Sequence, residues 1–165
     1  MNLQTINKLI HTTYIALSYS MTRRDKIESK FKVTFELIKN LRPTWLESND
    51  YDKAFIETVL GATIFYLPTN KNSFSGMISE NASKVDKELR VKEHQYPRKI
   101  SSKELFINPP KSVEELKELY YNTYGVWNWV TKTENTNLRK HQKDGEFKSP
   151  EKSYNDCGIK LIKLK

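Results

Sequence analysis

Apolar residues recur every three or four positions over 3–19 (Leu3, Ile6, Ile10, Tyr14, Leu17) and again over 24–41 (Ile27, Phe31, Phe35, Ile38, Leu41). Both patterns predict amphipathic helices, and Pro43 predicts a stop soon after the second. Asp50 or Asp52 would cap a third helix carrying Ala54, Phe55, Val59, Ala62, Ile64, Phe65 and Leu67. It is apolar on nearly all sides, which predicts a buried central helix ended by Pro68. Residues 1–67 therefore read as a helical cluster. Residues 69–83 are polar and rich in Gly, Ser and Asn, which predicts a loop.

The second half alternates strand and helix signals. Leu89 and Val91 alternate with charged residues, which predicts a short strand over 89–96. Ser101-x-x-Glu104, Ser112-x-x-Glu115 and Thr131-x-x-Glu134 each fit the capping box that opens a helix. The first helix would end at Pro109-Pro110. The second would run to about Tyr121, with Gly125 as its C-terminal glycine, and the third to about Gln142. Val126–Val130 is short and rich in β-formers, so it reads as a strand. Residues 143–156 read as another loop and 158–165 as a terminal strand with a basic face.

Composition narrows the classes. The chain has 165 residues, 28 Lys plus Arg against 20 Asp plus Glu, and a net charge of +8. That length fits one domain, or a core with a small appendage. Apolar residues make up 37 %, below the usual ~45–50 %, which argues against a large sandwich or barrel. Aromatics at 12 % argue against disorder. No apolar run approaches the ~18–20 residues that span a bilayer, so no membrane partner is expected. The first twenty residues are interrupted by Asn, Lys, His and Thr, unlike a secretory signal. A single cysteine, Cys157, excludes an internal disulfide and a Cys-rich zinc site. The expectation is a cytoplasmic protein with an anionic partner, foremost nucleic acid.

Candidate chemistry lies in 89–142. A strand ends in Glu93-His94, a second strand carries Asn128, and the following helix bears Asn135, Asn137 and His141. Phosphodiester hydrolysis needs a water deprotonated near neutral pH, which suits His. It also needs a cation to offset charge on the phosphate, and a hard divalent ion prefers oxygen ligands such as Glu and Asn. Without a shared site, the same residues read as a solvated strand end, a solvent-facing Asn128 and a polar helix face. Trp45, Trp127 and Trp129 then read as core, and His11 as structural or exposed.

This order of strand, strand and helix resembles the ββα-metal (HNH) endonuclease superfamily, over roughly a third of the chain. The resemblance implies that His94 is the general base, that Glu93 binds the metal, and that Asn128 positions the histidine. A helix residue, Asn135 or Asn137, would complete the metal shell. Asn137 lies nine residues after Asn128 and His141 one turn further on. Arg98 would contact phosphate through its forked donors, and His94-Gln95-Tyr96-Pro97 matches the family's His-x-x-Pro. The implied cofactor is one Mg²⁺ or Mn²⁺ ion, and the substrate DNA rather than RNA. A homodimer would suit an enzyme that cuts both strands. The 33 residues between His94 and Asn128 would hold the two short helices as an insertion.

The expected architecture is α+β and mostly helical. A helical cluster (1–67) and a linker loop (68–84) precede a ββα-metal-like module with a helical insertion, a C-terminal strand and a small antiparallel sheet (85–165). Two other functions fit the same residues: a non-catalytic module binding nucleic acid or protein through 1–67, and a metal-independent ribonuclease using His94, Tyr96 and Arg98.

Overall fold

A computed structural model describes residues 22–69, 73–143 and 147–164. The helix expected over 3–19, with His11, lies outside the described residues. The architecture is α+β and mostly helical, as expected.

Helix α1 (Arg23–Glu47) opens with a capping box, Thr22 with Asp25. It runs through Pro43 instead of stopping there. The proline removes one helical N–H, but the turn beyond it buries Trp45, which stacks on Phe106 at 5.4 Å and donates Nε1 to Glu57 at 3.2 Å. Helix α2 (Asp50–Phe65) is capped by Asn49, whose side chain accepts from Asp52 N. It is not buried all round. One face (Glu57, Leu60, Gly61, Ile64) packs inward, while the opposite face is open to solvent.

The stretch 68–84 is more than a linker. It holds strand β1 (Phe74–Ser79), followed by the short helix α3 (Glu80–Ser83). With β2 (Arg90–His94), β3 (Trp127–Thr131) and β4 (Leu161–Lys163), β1 makes a sheet ordered β2-β3-β1-β4. The sheet is mixed, not antiparallel: β1 runs parallel to β3, and both edges are antiparallel. The polar residues around Phe74, Met77 and Ile78 hid β1, because inner-strand position comes from pairing on both sides and not from apolar content.

Between β2 and β3 lie α4 (Arg98–Ile107) and α5 (Val113–Leu119), the two short helices expected there. Ser112 caps α5 as expected, accepting from Glu115 N at 3.1 Å. Ser101 caps nothing. The chain turns helical at Pro97, one turn earlier, and Ser101 and Ser102 bond back to Pro97 O and Arg98 O inside α4. After α5 the chain widens into a π-turn, Tyr120–Tyr124. Gly125 closes it by close approach, with φ −95° rather than left-handed. A Cβ there would lie 2.8 Å from Tyr120 O and 2.9 Å from its ring.

Phe31, Ile38, Leu60, Leu105, Phe106, Leu116 and Tyr120 form one core. Helices α4 and α5 thus share their core with α1 and α2. Helix α6 (Lys132–Lys143) follows β3 without a break and packs on β2 and β3. The Thr131 box forms as expected: Glu134 N donates to Thr131 Oγ1, and Thr131 N donates to Glu134 Oε2 at 2.8 Å. Ser79 and Asn81 also donate to this carboxylate, at 2.6 and 3.0 Å. Burial alone would raise its pKa, but these bonds outweigh burial and hold it below the usual range. Glu134→Ala should therefore cost about 2–3 kcal/mol in urea unfolding, because it removes a cap and leaves buried donors short of a partner. Helix α7 (Pro150–Asp156) closes a smaller core of Leu138, Tyr154 and Ile159. No helix among the described residues is long and apolar enough to cross a membrane.

Candidate active site

Strands β2 and β3 pair antiparallel, with Glu93 opposite Asn128 and His94 opposite Trp127. Neighbours along a strand point to opposite faces, so each register step presents different chemistry.

Glu93 and Asn128 share the face covered by α6 and α7. They are 5 % and 0 % exposed, so neither is solvated. Tyr154 of α7 bridges them. Its hydroxyl donates to Glu93 Oε2, and Asn128 Nδ2 donates to the Tyr154 hydroxyl at 2.7 Å. Asn128 Oδ1 accepts from Gln95 Nε2 at 3.3 Å and from Ser75 Oγ. Gln142 of α6 also hydrogen-bonds the Glu93 carboxyl. Burial pushes the Glu93 pKa up to about 7, against the pull of the bonds from Tyr154 and Gln142. The same burial, with Glu93 beside it, raises the Tyr154 phenol above its ordinary value, so it stays a donor. A cleft of about 550 Å³ opens on this network, lined by Gln95, Tyr154, Met77, Glu151, Asn155 and Lys160 among others.

His94 follows the alternation to the other face. Lys92, on that face too, places Nζ 4.5 Å from the centre of the Trp127 ring. Burial lowers the His94 pKa, and the positive charges of Arg98 and Lys92 lower it further. The imidazole is therefore neutral at pH 7, with a free electron pair for a proton. Arg98 begins α4, and its guanidinium stands 3.4 Å above the Phe65 ring. Burial, then repulsion from Arg139 of α6, lowers the Arg98 pKa. None of Lys92, Arg98 and Arg139 forms an ion pair with another described residue.

The structure thus brings Glu93 to Asn128 and His94 to Arg98, in two groups on opposite faces of one strand pair. Asn135 is half-buried and Asn137 exposed on α6; neither side chain bonds Glu93, His94 or Asn128 among the described contacts. His141 turns to α7, with Nε2 3.6 Å from Asp156 Oδ2. No described hydrogen bond or ion pair joins Glu93, Asn135, Asn137 and His141 to one another. The Glu93 carboxyl is hydrogen-bonded to Tyr154 and Gln142. Among the described residues no three His, Cys, Asp or Glu side chains converge.

Tyr154 and Gln142 were missed in the sequence. Gln142 carries no signal beyond its place on the helix. Tyr154 lay in a stretch read as a loop, yet Ser149-Pro150-Glu151 is a helix start: Ser149 accepts from Lys152 N, and Pro150 occupies the first turn. Comparison with known proteins finds no family model that matches the chain, and no similar curated protein or solved structure.

Proposed function

We propose that the chain hydrolyses phosphodiester bonds in DNA as an endonuclease of the ββα kind, with His94 taking the proton from the attacking water. One observation carries this reading. Two antiparallel strands pair, and the second runs directly into a helix packed on both. At the exit of the first strand stands a neutral histidine whose electrostatic neighbours, Arg98 and Lys92, are cations.

The chemistry follows from that arrangement. A neutral imidazole accepts a proton from water, which a protonated one cannot do. Arg98 presents two parallel N–H donors to phosphate oxygens, and Lys92 adds a point charge. An anionic phosphate relieves the repulsion between Arg98 and Arg139, so substrate binding gains from charges that the empty fold holds apart at a cost. The net charge of +8 favours approach of a polyanion at low salt.

The test is incubation of the full chain with supercoiled plasmid and with RNA, in Mg²⁺ or Mn²⁺ and then in chelator. Nicking of plasmid is expected. Intact plasmid under every metal would refute the proposal. Chelator-resistant cleavage confined to RNA would also refute it, and would fit the ribonuclease using His94, Tyr96 and Arg98. If plasmid is nicked, loss of nicking in chelator would mean that the reaction needs a divalent ion.

A further inference from the structure

Helix α2 leaves a continuous apolar face in solvent. Tyr51, Phe55, Val59, Phe65 and Tyr66 are 84, 67, 40, 48 and 68 % exposed, with Ala62 exposed between them. Steps of three and four residues place them in one stripe along the helix. Single exposed apolar residues are ordinary, but a contiguous stripe over four turns marks a contact surface.

The charges at the two ends of the stripe identify its occupant. At the N-terminal end stand Asp50 and Asp52, both exposed. At the C-terminal end stand two cations: Lys30 Nζ donates to Tyr66 O at 3.1 Å, and Arg98 lies over Phe65. A surface that is acidic at one end, basic at the other and apolar between complements a reversed copy of itself. Turned about a two-fold axis, Tyr51 meets Phe65 and Tyr66 of the second copy, and Asp50 and Asp52 meet Lys30 and Arg98. Val59, beside the midpoint of residues 51–66, falls next to the axis. A parallel arrangement would instead set like charges together.

We propose that the exposed face of α2 is the contact between two copies of this chain, packed antiparallel about a two-fold axis near Val59. One helix pair buries less than the ~800 Å² per partner of a standard interface, so the dimer is weak, with a dissociation constant in the micromolar range. The inference shares one residue with the proposed nuclease activity: Arg98, which faces Asp50 and Asp52 of the second copy in the dimer and phosphate in the proposed reaction.

Sedimentation of the full chain over about 1–200 µM tests it across that range. The mass is expected to rise from 19.5 kDa toward twice that value, and the rise should weaken as salt screens the end charges. Phe55→Asp and Tyr51→Asp, both at exposed positions, should each hold the chain at single mass with an unchanged circular dichroism spectrum. Val59→Cys in a Cys157→Ser background should cross-link to itself on mild oxidation, since a disulfide needs Cα atoms within about 7 Å. A single mass at every concentration would overturn the proposal, whatever then covers the stripe. So would a dimer that survives Phe55→Asp and Tyr51→Asp, because the contact would lie elsewhere.

Discussion

Asn128→Ala is expected to cost the fold about 3–5 kcal/mol in urea unfolding, among the largest losses any single substitution here should produce. Asn128 has no exposed surface, and its amide is the hub of a side-chain network. Oδ1 accepts from Ser75 and Gln95, and Nδ2 donates to Tyr154. Alanine leaves each of these groups short of a partner inside the fold, where a lost bond costs about 1–3 kcal/mol because water cannot replace it. It also opens a cavity under α7. The loss should appear as a lower urea midpoint at unchanged slope. A loss below about 1 kcal/mol would mean that the network opens to water and carries little of the fold.

Glu93→Gln is expected to stabilise the protein in mildly alkaline solution and to do nothing in acid. The Glu93 pKa stands near 7 in the fold against an ordinary 4.5. Between those values the folded chain keeps a proton that the unfolded chain has released. The stability this provides is complete below the unfolded value and is lost as pH rises through the folded one. The two pKa values imply a loss of up to about 3 kcal/mol between pH 4.5 and 7, constant above that. Glutamine carries no charge and still offers an oxygen to the Tyr154 hydroxyl, so it escapes that loss. The variant should match wild type near pH 4.5 and exceed it by up to about 3 kcal/mol near pH 8. Glu134 works in the opposite sense: held below its usual range, it costs the fold stability as pH falls through its folded pKa. Urea unfolding of both proteins against pH separates the two effects. Equal stability near pH 8 would mean that the fold does not raise the Glu93 pKa above its ordinary value.

The helices were legible wherever local chemistry decides them. The stripe over 24–41, the boxes at Ser112 and Thr131, and the β-formers at 126–130 all sit within a few residues of the observed elements. What escaped is decided by partners distant in sequence. Nothing local in Phe74–Ser79 announces a strand, because its stability comes from Trp127 and Trp129 on one side and from residues 161–163 on the other. Pro43 signalled a stop that the burial of Trp45 overrode. The Ser101 box was a false start because the helix already begins at Arg98, with Pro97 at its N-cap.

The candidate site was legible in part for the same reason. The sequence marked Glu93, His94, Arg98 and Asn128 as a set, and register divided them. Alternation along β2 was available from the sequence and already set Glu93 and His94 on opposite faces. What was hidden is Tyr154, about sixty residues downstream of Glu93, whose hydroxyl donates to that carboxyl. Asn135, Asn137 and His141 fall on a helix whose rotation was not readable from a polar sequence with few apolar markers.

Cleavage of supercoiled plasmid by wild type and by His94→Ala, at equal concentration near pH 7.5, tests the central claim most directly. The half-buried imidazole makes no described hydrogen bond, so its removal should leave the melting temperature within a few degrees of wild type. If His94 is the general base, the variant should lose about 10²- to 10⁴-fold in nicking rate. A folded His94→Ala protein that nicks as fast as wild type would contradict the account.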